Sequence, residues 1–362
     1  MLDPEATLGE IGERALLKHI RSRIPLGAGV VVGVGDDAAA VQTGALTLVT
    51  TDTLVEGVHF RRDWTPPQLL GRKALTVSLS DIAAMAGIPR YATVSLCLPP
   101  NLPMRFLDEL YDGLLERAAE TGVNIVGGNL AASREATSIE VMVLGQGDKL
   151  LRRSGAQPGD LVVVTGTLGA AAAGLRLLKQ GARLGAEGAL EATGIWTESS
   201  APGLTHCLMA QLDPTPPLAF ARALSEHDLI HAAMDISDGL SGDLLHICEE
   251  SNVAAWIDVA ALPVDPWAAR VERARGGDAV ALALHGGEDY QLLLALPPDR
   301  FDALKDVAVV WDLPLTAVGG FTEGEPALSI RNGDAVQPLE VGGFDHFRVA
   351  APEQRAAPEA IA

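Results

Sequence analysis

Apolar positions recur along this chain in two rhythms. A period of three to four residues marks helices over Glu10–Arg23, Pro66–Gly87 and Pro103–Thr121. The second of these has Pro66 and Pro67 near its start and Gly87 as its stop. The third carries Phe106, Leu110, Leu114 and Ala118 on one stripe. Further helices are predicted over Gly169–Gln180, Pro217–Glu226 and Asp238–Ser251, the last with Ser237 or Asp238 able to cap it. Short runs rich in Val, Leu, Ile and Thr predict strands over Leu46–Thr51, Ala92–Leu98, Asn124–Val126, Ser138–Leu144, Leu161–Thr165 and Ile230–Ile236. The Asn124 strand is expected to run into a turn at Gly127-Gly128-Asn129, and Gly286-Gly-Glu288 to turn before the strand that ends at Leu296. Gly181–Gly203 is rich in glycine and reads as a long mobile surface segment. The mixture predicts an α/β (α+β) chain of two domains. The boundary is placed just before the turn-rich hinge Arg152–Asp160, giving an N-terminal domain over 1–148 and a C-terminal domain over 149–349. A Pro/Ala/Glu tail over 350–362 is expected to be disordered.

A length of 362 residues also favours two domains. With 48% hydrophobic residues but only 4% aromatics, the cores must be built mostly from Ala, Val and Leu. The formal net charge of −20 argues against nucleic acid as a partner, because that partner needs a basic surface. An acidic chain can still bind phosphates if metal ions screen the repulsion. Cys97, Cys207 and Cys248 form no CxxC and suit a reducing compartment. Met1-Leu-Asp-Pro-Glu has no basic n-region, so no signal peptide is expected. The uncharged run Leu161–Leu175 is broken by glycines and falls short of the ~18 apolar residues of a membrane span. A cytoplasmic protein without membrane contact is expected.

Acids placed beside glycines, serines and threonines carry the chemistry. Asp36 and Asp37 sit on the glycine turn Gly33-Val-Gly-Asp-Asp, and Thr50, Thr51 and Asp52 sit where the first strand is predicted to end. Asp81 lies in Ser78-Leu-Ser-Asp-Ile-Ala-Ala-Met, and Asp235 and Asp238 lie in Met234-Asp-Ile-Ser-Asp-Gly. Any one such acid is ordinarily a cap or a turn residue. Several brought together would repel and raise each other's pKa values unless a cation neutralised them. Carboxylates with hydroxyls are hard oxygen ligands, of the kind magnesium takes, and the natural ligand of several magnesium ions is a polyphosphate. Gly33-Val-Gly35 lacks the third glycine of GxGxxG, and no GxxxxGK[ST] is present. ATP, if bound, is not held by a lysine P-loop.

Gly35-Asp-Asp, Thr50-Thr-Asp-Thr-Leu-Val-Glu-Gly-Val-His-Phe60, Ser78-Leu-Ser-Asp-Ile-Ala-Ala-Met, Asp235-Ile-Ser-Asp-Gly-Leu and Gly287-Glu-Asp-Tyr together resemble the thiamine-monophosphate kinase family, from about Gly9 to Phe347. The resemblance implies an aminoimidazole ribonucleotide synthetase-like fold, a homodimer formed through the N-terminal domain, ATP as co-substrate, several magnesium ions and thiamine monophosphate as acceptor. It implies that Asp36, Thr50, Thr51, Asp52, Asp81, Asp235 and Asp238 hold magnesium, with Asp52, Asp235 and Asp238 closest to the chemistry. Gly128, Asn129, Arg153 and Ser237 would contact ATP, with Tyr111 near the adenine or simply packed in the core. His59, Glu288 and Phe344 would contact thiamine monophosphate. Plainer roles stand beside these: a core aromatic for Phe344, a surface ion pair for Arg153, a strand-end charge for Glu288 and a satisfied loop histidine for His59.

One departure stands out. Where the family usually shows Gly-Gly-Asp, this chain has Gly127-Gly128-Asn129, so a magnesium there would meet a neutral oxygen. Two cousins of the same fold are disfavoured by inspection. Selenophosphate synthetase wants a reactive cysteine near its start, whereas the first here is Cys97, and the hydrogenase-maturation type wants one at its end, which reads Pro-Glu-Ala-Ile-Ala. A non-catalytic metal- or nucleotide-binding module is the reading from a different class.

Overall fold

The computed structural model describes residues 3–11, 16, 19–20, 22–25, 27, 29–32, 40–41, 46–194, 196 and 201–343. Asp36, Asp37, Phe344 and the tail over 350–362 therefore lie outside the described residues.

The N-terminal part begins with a short helix, α1 (Leu8–Ile11), and an antiparallel pair, β1 (Val30–Val32) with β2 (Ala40–Val41). A four-stranded sheet follows, built from β3 (Thr47–Val55), β4 (Ile88–Leu98), β5 (Asn124–Ala132) and β6 (Ser138–Gln146) in the order β3-β6-β4-β5. β4 and β5 run parallel, and the other pairs are antiparallel. Helices α2 (Pro67–Ala84) and α3 (Met104–Thr121) join the same core as the sheet. In β3 the two-residue period turns Leu48 and Leu54 inward, whereas Val49 stays 64% exposed. The same period sends Thr50 and Asp52 to the helix side; the strand runs on past its expected end at Thr51 to Val55, so Asp52 reaches the site from mid-strand.

Helix α2 is buried on nearly every side, Lys73, Thr76, Ser78 and Ser80 included, and so has almost no solvent face. Its Leu70, Leu75 and Leu79 are fully buried, each contributing roughly 2 kcal/mol. Ala83 and Ala84, at its end, belong instead to a core of the C-terminal part. The helix is thus the wedge between the two halves.

The C-terminal part holds seven strands in the order β10-β12-β7-β13-β11-β14-β15. They are β7 (Leu161–Thr165), β10 (Ala232–Ile236), β11 (Ala254–Asp258), β12 (Gln291–Leu296), β13 (Leu315–Thr322), β14 (Leu328–Asn332) and β15 (Ala335–Pro338). Val162 and Val164 pack into one core with α7 (Leu240–Ser251) and α9 (Ala279–His285), while Val163 packs into another with α6 (Leu218–Leu224) and α10 (Phe301–Ala308). Burial on both faces explains why β7 reads as an unbroken apolar run. A further core joins α4 (Ala170–Lys179), α5 (Ala201–Leu212) and α8 (Pro266–Arg275) to Leu69 of α2. Among the described residues no helix is long and apolar enough to cross a membrane.

Two expectations need correction. Gly181–Gly203 is not a loose segment over its described part. It forms a hairpin of β8 (Ala182–Leu184) and β9 (Leu190–Thr193), with Ala182 and Leu184 buried against α4 and α5. The glycines mark its turns rather than looseness. The strand from Asn124 also does not end at Val126. It runs on to Ala132 with Gly128 in mid-strand, where a Cβ would sit 1.9 Å from the Val94 carbonyl oxygen. The glycine is there so that β5 can lie against β4.

Candidate active site

A cavity of about 580 Å³ opens between the two halves, lined among others by Asp52, His59, Asp81, Gln211, Asp235, Ser237, Asp238 and Glu288. Its acidic wall is organised by α2. Ser78 Oγ lies 2.9 Å from both Asp52 Oδ2 and the Val141 carbonyl oxygen, and its single proton is shared between them. Two residues on, Ser80 donates to Asp235 Oδ2 at 2.7 Å, and Thr50 donates to Asp81 Oδ2. One helix thereby gathers a strand-borne acid from each half around its own Asp81. Asp52 is pushed up to about 6 by burial and by the neighbouring charge of Asp81, against the Ser78 hydrogen bond. Asp235 is pushed up to about 7 by burial and then by Asp81, against Ser80 and the nearby Arg153. Asp81 is raised by burial, with Thr50 and Arg153 opposing. The Tyr290 hydroxyl is driven well up, by burial first and then by Glu288, Asp52, Asp235 and Asp238.

Another part of the lining is built on a strained turn. Glu288 and Tyr290 both adopt positive φ, +68° and +49°. The turn is stitched to the end of β10 by Glu288 N–H to Ser237 O at 2.7 Å and Tyr290 N–H to Ile236 O at 2.8 Å. A Cβ on Gly287 would come within 2.7 Å of the Ser237 carbonyl oxygen, so glycine is required there. The Glu288 carboxylate meets Lys73 Nζ at 2.7 Å and also accepts from Gln211 Nε2. His59 Nδ1 accepts the Val55 N–H at 3.0 Å, so its Nε2 carries a proton.

Neither Ser237 nor Asp238 caps α7, contrary to the sequence expectation. The N-cap is Gly239, and Asp243 in the first turn reaches back to accept the N–H groups of Ser237, Asp238 and Gly239 at 3.0–3.2 Å. Asp243 is raised to about 8 by burial and then by Asp235 and Asp238. Asp289 similarly accepts the Gly169 N–H at 2.8 Å at the start of α4. Neither was singled out from sequence, since one reads as an ordinary helix acid and the other as a strand flank. Lys73 and Gln211 were missed as well.

The remaining expected site residues fall as follows. Thr51 lines the cavity, and its hydroxyl donates to Glu140 Oε1 at 3.3 Å. Gly128 and Asn129 are exposed on the edge strand β5 and lie outside the cavity lining. Arg153 is exposed, yet close enough to act on Asp81 and Asp235. Tyr111 is 4% exposed within the N-terminal core, so core packing accounts for it. Among the described residues no three Asp, Glu, His or Cys side chains form a ready-made metal cage. The donor chemistry nevertheless fits magnesium: hard oxygens, hydroxyl-supported, and raising each other's pKa values in the absence of a cation.

The N-terminal domain model of AIR synthase related proteins matches residues 35–147, and the C-terminal domain model of the same proteins matches 157–330. Fold and site thus define a two-domain AIR synthase related protein. The thiamine-monophosphate kinase of Aquifex aeolicus (strain VF5) is 32% identical over 341 residues, which is 94% of this chain and 99% of its own. The crystal structure of thiamine-monophosphate kinase from Stenotrophomonas maltophilia K279a superposes with a TM-score of 0.75 at 36% identity, covering 88% of this chain and 95% of that one. The structure of AaThiL complexed with AMPPCP and TMP gives a TM-score of 0.72 at 32% identity, covering 94% and 99%. The chain belongs to the thiamine-monophosphate kinase family, a family of phosphotransferases.

Proposed function

We propose that this chain transfers the γ-phosphoryl group of ATP to the phosphate of thiamine monophosphate, in line, giving thiamine diphosphate and ADP. The observation that carries this reading is the gathering of Asp52, Asp81 and Asp235 around α2, in a cavity whose lining also includes Glu288. The attacking phosphate oxygen is already ionised at neutral pH, so no strong base is required. The obstacle is bringing two anions together. Asp52, Asp81, Asp235 and Asp238, together with Asp36, Thr50, Thr51 and Asn129, would hold magnesium, which would supply that charge neutralisation. The chain's own part is positional. Ser78 and Ser80 hold Asp52 and Asp235 in place, and Asp243 ties down the backbone that carries Ser237 and Asp238. Gly128, Asn129, Arg153 and Ser237 would contact ATP, while His59, Glu288 and Phe344 would contact thiamine monophosphate. Release of ADP and formation of thiamine diphosphate from magnesium, ATP and thiamine monophosphate test the reading. No ADP release with all three present would leave a non-catalytic nucleotide-binding module, and ADP release indifferent to thiamine monophosphate would leave an ATPase.

A homodimer and a cytoplasmic location belong to the same proposal. Buried and less buried positions alternate along β6, and Val49 of the edge strand β3 is left exposed. Sedimentation of the purified chain at about twice its 37.8 kDa mass is the expected result, and a monomer would count against it.

A further inference from the structure

Glu288 is not a free anion. Lys73 is 2% exposed, and its ammonium gives one N–H to Glu288 Oε1 at 2.7 Å and one to the Gln211 carbonyl oxygen at 2.9 Å. Gln211 is 3% exposed and donates through Nε2 to the other Glu288 oxygen. Each carboxylate oxygen therefore has one donor already and keeps lone-pair capacity. The Gln211 side-chain oxygen, buried and without a hydrogen-bond partner, adds a further acceptor. The Lys73–Glu288 pair is electrically closed, yet with Gln211 it holds a surplus of acceptors. A buried acceptor left unpaired is costly, so a ligand that donates to it is favoured.

Building on the kinase reading above, we propose that Lys73 and Gln211 decide what this part of the cavity recognises. Lys73 is a positioning residue that cancels the charge of Glu288 and fixes its orientation. Gln211 is a specificity-determining residue. The pair selects a neutral amino-heterocycle that donates hydrogen bonds, and not a cationic ring. In thiamine monophosphate that part is the aminopyrimidine. It lies at Glu288, and the phosphate extends toward the acidic wall. A cationic ring gains little from a carboxylate already paired with an ammonium.

The competing account is a staple, since Lys73 comes from α2 and its partners from the C-terminal half. A staple would weaken both substrates and the fold alike. The test uses wild type, Gln211→Leu, Lys73→Met and the double variant Lys73→Met with Glu288→Gln, which leaves no stranded buried charge. Steady-state kinetics are measured with thiamine monophosphate and with its analogue bearing a 4-oxo group in place of the amine. Wild type should prefer the amine by at least about 100-fold in kcat/KM, the discrimination expected of a site built to receive a donor. That preference should fall at least about tenfold in Gln211→Leu and in the double variant, with KM for ATP moving less than about twofold. Lys73→Met should raise KM for thiamine monophosphate by about tenfold or more. Variants that keep the wild-type preference, or whose KM for ATP rises in parallel, overturn the proposal. An active wild type that does not discriminate also overturns it and leaves the kinase reading intact. A wild type inactive on thiamine monophosphate sinks the kinase reading, and this inference with it.

Discussion

Two parts of the cavity lining use the same functional group in opposite electrical states. At the acidic wall, Asp52, Asp81 and Asp235 are supported by the neutral hydroxyls of Ser78, Thr50 and Ser80, and burial and mutual repulsion drive their pKa values up. Glu288, by contrast, is matched by Lys73 at 2.7 Å. An unneutralised carboxylate cluster is a request for a cation, whereas a neutralised carboxylate can offer only direction and shape. On the function proposed above, the difference would separate catalysis from recognition within one pocket, with charge left open for the phosphates and closed for the organic ring.

The largest effects should come from removing one charge from each part. Asp52→Asn keeps an oxygen for the Ser78 hydroxyl but removes the charge, and turnover at saturating magnesium should fall by about 10³-fold or more. The same change relieves repulsion with Asp81, so the variant should melt no lower than wild type. Turnover near the wild-type level would end the metal-site argument. Glu288→Gln should do the reverse to stability, because it strands the buried Lys73 ammonium, a loss of about 3 kcal/mol. It should also weaken thiamine monophosphate about tenfold or more while leaving ATP little changed. Equal losses for both ligands in calorimetric titration would make Glu288 structural.

Much of the acidic wall was legible in the chain, and almost nothing of the surroundings of Glu288 was. Helices α3 and α4 follow from periodicity to within a few residues, because each buries a face that a local pattern can display, while β7 and α2 follow as runs bounded by turn signals, because they are buried on nearly every side. Asp52, Asp81, Asp235 and Asp238 stood out because each sits among small or hydroxylated residues, and the structure lines one cavity with them. Lys73 carried no such signal. A lone lysine on an apolar helix reads as a chain reaching for water, and its partner lies 215 positions away across the fold. Asp243 looked like an ordinary surface acid, since only the tertiary turn before α7 presents it with three N–H groups. Stretches such as Ala254–Asp258 and Leu315–Thr322 were missed because strand pairing between distant segments, not a local alternation, decides them.

Asn129 sharpens the comparison at smaller amplitude, since it lies on the exposed edge strand β5 and not in the cavity lining. A neutral amide oxygen attracts magnesium less than a carboxylate, and water competes better for the ion. Asn129→Asp should therefore shift half-saturation to lower magnesium, by a few-fold at most. A magnesium titration of activity checks this. A midpoint that stays or moves higher would remove Asn129 from the metal set.

The smallest expected effect concerns a carboxylate outside the cavity, one satisfied on every side. Asp265 is the N-cap of α8, accepting the N–H groups of Trp267 and Ala268 at 2.9 Å. It also takes the Thr167 hydroxyl at 3.1 Å and His206 Nε2 at 2.9 Å. The hydrogen bond to Asp265 raises the pKa of His206, and despite its burial Asp265 is held below the usual carboxylate range by His206 and the cap. Asp265 thus stays ionised throughout the range in which His206 titrates. A histidine raised in the folded state contributes stability that is fully present below its unfolded pKa of about 6.5 and is lost as pH rises through the folded value. The imidazole is half-exposed, so the contribution is small and screened by salt. His206→Gln should accordingly lower the melting temperature at about pH 6 and approach wild type at about pH 9. Thermal unfolding of both proteins at the two pH values decides it. A difference that is the same at both, or larger at the higher pH, would show that the imidazole's charge does nothing here and that Asp265 needs only its cap.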